Sequence, residues 1–323
     1  MLGLGKNIRA QTYILLLAII FLAFALRVYR LGHQSLWDDE AKSVWVASWP
    51  VSEILVEQSQ HEHPPLHYLL LHFWMPLAGQ TEFAVRFVSL FFGLLSVPMI
   101  YRLGKALSTL HAPRSTLHVF GLLAAFVAAI APFWVYFSQE TRMYTTATFF
   151  SLSAVYFFAR ILRSHQKLTG GIWPGYVLST VCSLYSHYFA FFVLVFENLF
   201  LFALWRRYRP LIKTWVLSQA AVVLLFLPWL AFMAMGAISL HTAQPERATF
   251  IGPNAPAYGL LATWLEGWSR RKGLVNVLRT CLISFGLGES APPDLKWPLA
   301  IVFLVIALAG AVFLFRDRSS REV

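Results

Sequence analysis

About eight stretches of this chain are apolar over lengths close to the ~20 residues with which an α-helix crosses a bilayer, and that repeat constrains the fold most. They run from Tyr13 to Val28, Phe83 to Tyr101, Leu117 to Phe137, Tyr144 to Leu162, Trp173 to Tyr185, Phe189 to Trp205, Thr214 to Met235 and Trp297 to Phe315. With 58% of residues hydrophobic and 13% charged, no soluble domain is visible beside them. The expectation is an all-α polytopic membrane protein of about eight transmembrane helices. The first run follows Lys6 and Arg9 and lacks a small-residue cleavage site, so it reads as a retained anchor. The two cysteines, Cys182 in an apolar run and Cys281 in a long loop, support neither a disulfide framework nor a zinc knuckle.

Charge sets the orientation. The net charge of +11 comes from short basic clusters between spans, which is a topology signal and not a nucleic-acid surface. Threading the eight runs back and forth places Lys6/Arg9, Arg102/Lys105/Arg114, Arg160/Arg163/Lys167, Arg206/Arg207/Arg209/Lys213 and Arg316/Arg318/Arg321 on one side, 15 of the 26 basic residues, with 12 of the 15 acidic residues opposite. The basic side, carrying both termini, is then the cytoplasm. Leu66 to Leu77 is too short to span and follows the Pro64/Pro65 pair, so it is expected as a helix lying at the outer interface. Read instead as a true second span, it would invert everything downstream. Trp173 to Tyr185 and Phe189 to Trp205 are short and separated only by Ser186, His187 and Tyr188, a broken pair that is tolerated where the freed backbone faces protein or water. The chain is expected to form one domain over residues 1–323, with a first outer loop at 32–81 carrying interfacial helices. A second long outer loop follows at 236–296, whose Tyr258 to Phe285 segment has amphipathic helical periodicity.

Polar residues gather on the acidic side. Asp38, Asp39 and Glu40 follow the first span, and His61, Glu62, His63, Pro64, Pro65 and Leu66 follow them. Charged groups at a membrane boundary are costly unless they serve a purpose. Arg86, the run Gln139 to Tyr144, and His187 sit at the same ends of their spans, so four segments can line one cavity. Each has a plainer reading. Asp38 or Asp39 can cap a helix that starts near Ala41, Arg142 and Arg86 can snorkel to headgroups, and His187 can bridge two short helices. Carboxylate and imidazole together also suit zinc or manganese, so a divalent metal shared by Glu62 and His63 with Asp39 or His187 stands as the alternative to a site with no metal and no cofactor. Arg270, Arg271 and Lys272 are expected at anionic headgroups. Glu197 lies deeper in an apolar run, where an ionisable group is either functional or paired.

Ser35-Leu36-Trp37-Asp38-Asp39-Glu40-Ala41, then His63-Pro64-Pro65-Leu66, then Phe83 to Ser89 with Arg86, then Ser138 to Tyr144, then Ser186-His187-Tyr188 form an ordered set. That set resembles the polyprenyl-phosphate-sugar glycosyltransferases of the GT-C fold, nearest to the bacterial family 39 type related to protein O-mannosyltransferases and lipid A aminoarabinose transferases. The resemblance implies a GT-C-type core and an inverting transfer at the outer face of a cell membrane, such as the bacterial inner membrane, with the active site periplasmic or extracellular. The donor would be a sugar on a polyprenyl phosphate, the acceptor a hydroxyl of lipid, glycan or protein, and the other partners membrane lipids. The family's catalytic acid maps onto Asp39, with Glu40 beside it and Asp38 one position away. The family's phosphate-binding arginine maps onto Arg142, with Arg86 as second choice, while Glu62, His63, His187, Gln139 and Tyr144 complete the substrate-binding set. The closest branches mostly work without an obligatory metal. Most relatives carry further spans or an outer domain beyond this region, so the chain is expected to be a compact catalytic core, a truncated product, or one that needs a partner chain.

The chemistry has its own logic. A hydroxyl is a poor nucleophile at neutral pH, so a carboxylate must take its proton as it attacks. A single displacement needs one such base, unlike the carboxylate pair of a glycosidase. The departing phosphate needs cations where its charge accumulates. The alternative function, a lipid-linked-sugar transporter or a noncatalytic binding subunit, would spread acids through the bilayer midplane. Apart from Glu197 within a span and Asp317 and Glu322 at the C-terminus, the acids here are confined to one side.

Overall fold

The computed structural model describes residues 2–59, 63–108, 114–164 and 171–243. Among these the secondary structure is helical: α1 (Leu2–Val28), α2 (Asp38–Ala47), α3 (Val51–Ser59), α4 (Leu66–Ala78), α5 (Glu82–Ser108), α6 (Arg114–Ile130), α7 (Pro132–Ser138), α8 (Tyr144–Ser164), α9 (Ile172–Ser186), α10 (Ala190–Ala203), α11 (Trp205–Tyr208), a 3₁₀ turn (Arg209–Leu211) and α12 (Ile212–Ala243). The chain divides into two units. The first holds Met1–Ile130 and Trp134–Gly236; the second holds Ala131–Phe133 and Ala237–Val323 and lies almost wholly outside the described residues. His61, Glu62, Cys281, the expected outer loop beyond Ala243 with Arg270, Arg271 and Lys272, and the expected span Trp297 to Phe315 fall outside them as well.

Among the described residues four helical segments are long and apolar enough to cross a membrane, Ala10–Val28, Glu82–Leu107, Tyr144–Arg163 and Trp205–Ala234, and the bent pair His118–Ile130 with Pro132–Ser138 makes a fifth. Helices α9 and α10 are shorter, at 15 and 14 residues, and are separated by His187–Phe189 as expected of a broken pair. Helix α12 runs on to Ala243, past Gly236, where the outer loop was expected to begin. Apolar side chains such as Phe21, Phe202 and Leu224 are at least two-thirds exposed, which is favourable only where the surrounding medium is hydrocarbon.

Helix α5 is the hub, packing on α6 and α8, with α8 in turn on α9. Without a hydrophobic force between helices in lipid, close backbone approach supplies the attraction, and small residues permit it. A Cβ on Gly104 would sit 3.2 Å from the Cα of Gly121, and one on Gly121 would sit 2.8 Å from the carbonyl oxygen of Tyr101.

Arg86, near the start of α5, donates to the carbonyls of Leu31 and Gln34, just beyond α1. The end of α1 and the start of α5 therefore lie at the same end of the bundle, and α2, α3 and α4 stay there. This disposes of Leu66 to Leu77 as a second span. The opposite end is marked by Arg102 of α5, whose guanidinium carbon lies 5.2 Å from the ring centre of Tyr156 in the second half of α8, and by Arg160, 5.8 Å from the same ring.

Two buried polar features hold the apolar helices in register. Pro132 has no N–H to offer the carbonyl of Ala128, and α6 and α7 meet there at a 60° bend. The fully buried Arg27 of α1 fills the gap, donating to the carbonyls of Ala128 at 3.2 Å and Ala129 at 2.9 Å and to the hydroxyl of Ser138 at 3.1 Å. Glu197, also fully buried, accepts a 2.7 Å hydrogen bond from Tyr176, which in turn accepts one from Gln219 at 3.1 Å, so α9, α10 and α12 share one polar network. Glu197 is paired, and its partner is the tyrosine one helix earlier.

Candidate active site

The chain leaves α1, turns through Arg30 at a φ of 57°, and reaches Trp37 in extended backbone. Helix α2 then begins at Asp38, so the acidic triplet forms its first turn, where carboxylates complement the free amides. Trp37 occupies the N-cap position without a side-chain cap bond, so neither Asp38 nor Asp39 caps the helix. The helical spacing of ~100° per residue sends the three carboxylates apart. Asp38 faces solvent, Asp39 is half-buried and Glu40 is 1% exposed.

Glu40 is wholly engaged. Its Oε1 accepts from Arg86 Nε at 2.9 Å and from the backbone N–H of Thr141 at 2.8 Å; its Oε2 accepts from Arg86 Nη2 at 2.7 Å and Trp37 N at 3.4 Å. Arg86 spends its other N–H groups on the carbonyls of Leu31, Gln34 and Ser35, which exhausts the five donors of a guanidinium. Arg86, expected at the substrate, and Glu40, expected beside the catalytic acid, are engaged here as an anchor: they pin the start of α2 and the 139–143 segment to α5. Gln139 is spent likewise, its amide donating to the carbonyls of Leu26, Arg27 and Tyr29 at the unsatisfied end of α1.

This anchoring delivers Arg142 to Asp39. The backbone N–H of Arg142 closes a tight turn onto Glu140 O at 2.8 Å, and its carbonyl accepts from Ser89 of α5 at 2.9 Å. The side chain of Arg142 is 6% exposed and places Nη2 3.6 Å from Asp39 Oδ2, on a carboxylate side chain that is 42% exposed. Nη1 donates to Ser43 Oγ at 3.2 Å and to Asp39 O at 3.3 Å, while Nε is buried with no hydrogen-bond partner. A half-open carboxylate thus faces a buried cation that keeps an unspent donor.

Histidines crowd the same end of the guanidinium. His63 Nε2 lies 3.2 Å from Arg142 Nη2; since arginine only donates, Nε2 is the acceptor and the ring proton sits on Nδ1, which is buried without a partner. Burial first, and the Arg142 charge next, lower the His63 pKa to about 4, with smaller contributions from neighbours. His187 is lowered to about 4 for the same two reasons. Its Nδ1 accepts from the backbone N–H of Phe189 at 3.1 Å, and its ring lies 5.9 Å from that of His63 and 6.0 Å from Tyr144. Tyr144 also places its ring centre 6.0 Å from the Arg142 guanidinium carbon, within cation–π range. Burial likewise pushes the Glu140 carboxyl up.

Sequence reasoning missed two members of this group. Ser43 follows Asp39 by one helical turn and shares its face. His67 follows His63 by four residues and opens α4; it is fully buried, and burial followed by Arg142 lowers its pKa to about 3. The i, i+4 spacing was the available signal in each case. Of the expected set, the structure brings together Asp39, Arg142, His63, His187 and Tyr144. It gives Glu40, Arg86 and Gln139 to scaffolding and leaves Asp38 outward, while Glu62 lies outside the described residues. Among the described residues no three His, Cys, Asp or Glu side chains form a group able to hold a metal ion.

The sequence profile of a family described as dolichyl-phosphate-mannose-protein mannosyltransferase matches residues 62–232. No curated protein matches the chain at the sequence level. Among solved structures, the fold is similar to the S. cerevisiae protein O-mannosyltransferase Pmt1-Pmt2 complex bound to the sugar donor, with a TM-score of 0.52 at 17% identity over 72% of this chain. The chain spans a third of that yeast chain's length, 33%.

Proposed function

The chain belongs to the dolichyl-phosphate-mannose-protein mannosyltransferase family, and from that premise we propose that it moves a sugar from a polyprenyl-phosphate carrier to an acceptor hydroxyl at the outer face of the membrane, inverting the anomeric carbon. Asp39 is the base. It takes the acceptor's proton while the oxygen attacks C1, and the C1–O bond to phosphate breaks as the new bond forms, leaving polyprenyl phosphate. Arg142 is the cation that holds the departing phosphate. One observation carries this reading: the 3.6 Å approach of a buried arginine to a carboxylate that remains 42% exposed.

The two roles fit together. An arriving phosphate competes with Asp39 for Arg142, and its oxygens can also satisfy the unspent Nε–H, a buried donor whose neglect costs ~1–3 kcal/mol. Asp39, relieved of its ion pair, is then free to accept a proton. His63 and His187 are neutral at pH 7 and add no charge to repel the guanidinium, so they orient Arg142 and line the acceptor side. The reaction so written draws its positive charge from Arg142 and uses no metal, and the outer-face placement rests on the positive-inside count.

The test is to incubate the purified, detergent-solubilised chain with a panel of polyprenyl-phosphate sugars and candidate acceptors, following release of polyprenyl phosphate and the anomeric configuration of the product. Donor-dependent release with inversion, unchanged by a chelator, supports the reading. Retention of configuration, or sugar movement across vesicles without release, contradicts it.

A further inference from the structure

Between α10 and the start of α12 lies an open apolar cavity of about 760 Å³, none of whose lining residues belongs to the Asp39–Arg142 group. Leu201, Leu211 and Trp215 form its buried floor, and Leu199, Phe202 and Trp205 its exposed rim. Its volume is in the range of small-ligand sites, and its chemistry excludes a polar ligand. The polar side chain that reaches it, Asn198, has both ends engaged: Nδ2 donates to Leu194 O at 2.8 Å and Gln219 Oε1 at 3.2 Å, and Oδ1 accepts from Trp215 Nε1 at 2.9 Å. No sugar hydroxyl or phosphate finds a donor inside. Hydrocarbon does fit.

The mouth has the opposite character. Trp205 and Ile212, which line the cavity, bracket the turn that carries Arg206, Arg207 and Arg209, and Lys213 follows. All four cations are exposed, and the sequence contains no Asp or Glu from Asn198 to Pro245 to neutralise them. An apolar cavity bordered at one end by a turn of exposed, uncompensated cations matches a molecule with an anionic head and a hydrocarbon tail.

We infer that this cavity is a binding site for an anionic phospholipid, one acyl chain lying between α10 and α12 and the phosphate held by the Arg206–Lys213 turn. The bilayer supplies such a lipid at high local concentration. Bound only to the folded chain, it stabilises the α10–α12 reversal by mass action, and with it the Glu197–Tyr176–Gln219 network next to it. The site is separate from the Asp39–Arg142 pair and does not depend on its function.

The experiment measures the thermal unfolding midpoint of the full chain in nanodiscs of phosphatidylcholine alone, of phosphatidylcholine with phosphatidylglycerol, and of phosphatidylcholine with undecaprenyl phosphate. Phosphatidylglycerol is expected to raise the midpoint by about 2–4 °C, and the fourfold Arg206→Gln, Arg207→Gln, Arg209→Gln, Lys213→Gln variant to lose that gain while keeping the parent's midpoint in phosphatidylcholine. If the fourfold variant does not accumulate, Arg206→Gln and Lys213→Gln are tested singly for partial loss. Equal midpoints in the two phospholipid compositions, a gain that survives charge removal, or a gain given only by undecaprenyl phosphate overturns the assignment.

Discussion

Three adjacent carboxylates, chemically almost alike, have three separate fates in α2. Asp38 points to solvent, Asp39 faces Arg142 across 3.6 Å, and Glu40 is buried against Arg86 and the Thr141 amide. Substitutions should therefore separate cleanly. Glu40→Ala leaves the Arg86 charge buried without its anion, a change of about 3–5 kcal/mol in stability, so it is expected to lower the unfolding midpoint or prevent accumulation. Arg142→Gln leaves the Glu40–Arg86 pair intact. It should keep most of the stability and lower turnover by about 10²–10³-fold, checked by measuring midpoint and polyprenyl phosphate release on the same preparation. The sequence order and the basic-side count were enough to bring Asp39 and Arg142 to one end of the bundle. They could not show where the guanidinium hydrogens go, which is why Arg86 and Gln139, expected to bind substrate, and Glu40, expected beside the catalytic acid, gave no sign of the ties they make between segments. His67 escaped notice for a related reason: only packing shows that the first turn of α4 is buried beneath Arg142.

At the scale of elements, close approach between helices carries what propensity cannot. Gly121 has Tyr101's carbonyl oxygen 2.8 Å from where a Cβ would stand, and Gly93 has the Ser138 hydroxyl in the same position. Gly121→Val is expected to force α5 and α6 apart and cost about 1–3 kcal/mol, read as a lower unfolding midpoint. Gly93→Ala displaces Ser138 and through it Arg27, so it should loosen the α6–α7 break as well. The histidines that cross from α4 to the α9–α10 junction make stability depend on pH. His63, His67 and His187 are held neutral in the fold, with pKa values of about 4, 3 and 4, below the ~6.5 of an unfolded histidine. The unfolded chain thus binds more protons in this window. Their contribution is complete above about pH 6.5 and is lost as the pH falls toward about 4. Unfolding midpoints measured across that range should decline, and less steeply for His67→Phe. The span pattern and the broken α9–α10 pair were legible as hydropathy, whereas the α6–α7 bend was hidden in one apolar run because Pro132 alone did not reveal that Arg27 waits opposite.

For the molecule as a whole, the division of labour runs along the membrane normal. One end gathers the α2–α4 helices, the Glu40–Arg86 anchor and the Asp39–Arg142 pair; the other gathers Arg102 and Arg160 around Tyr156. Single cysteines introduced as Asp38→Cys and Arg102→Cys, with Cys182 and Cys281 replaced by serine, should separate with a membrane-impermeant thiol reagent: Asp38→Cys reacts in intact cells, and Arg102→Cys reacts only once the cells are permeabilised. The reverse labelling would turn the proposed reaction to the cytoplasmic face. The most direct measurement of the central claim is the turnover of Asp39→Asn, a substitution that preserves shape and removes the carboxylate's capacity to take a proton. Release of polyprenyl phosphate is expected to fall by about 10²–10⁴-fold, with an unchanged unfolding midpoint and donor still bound at Arg142. An Asp39→Asn chain that transfers sugar at the parent rate would contradict the account.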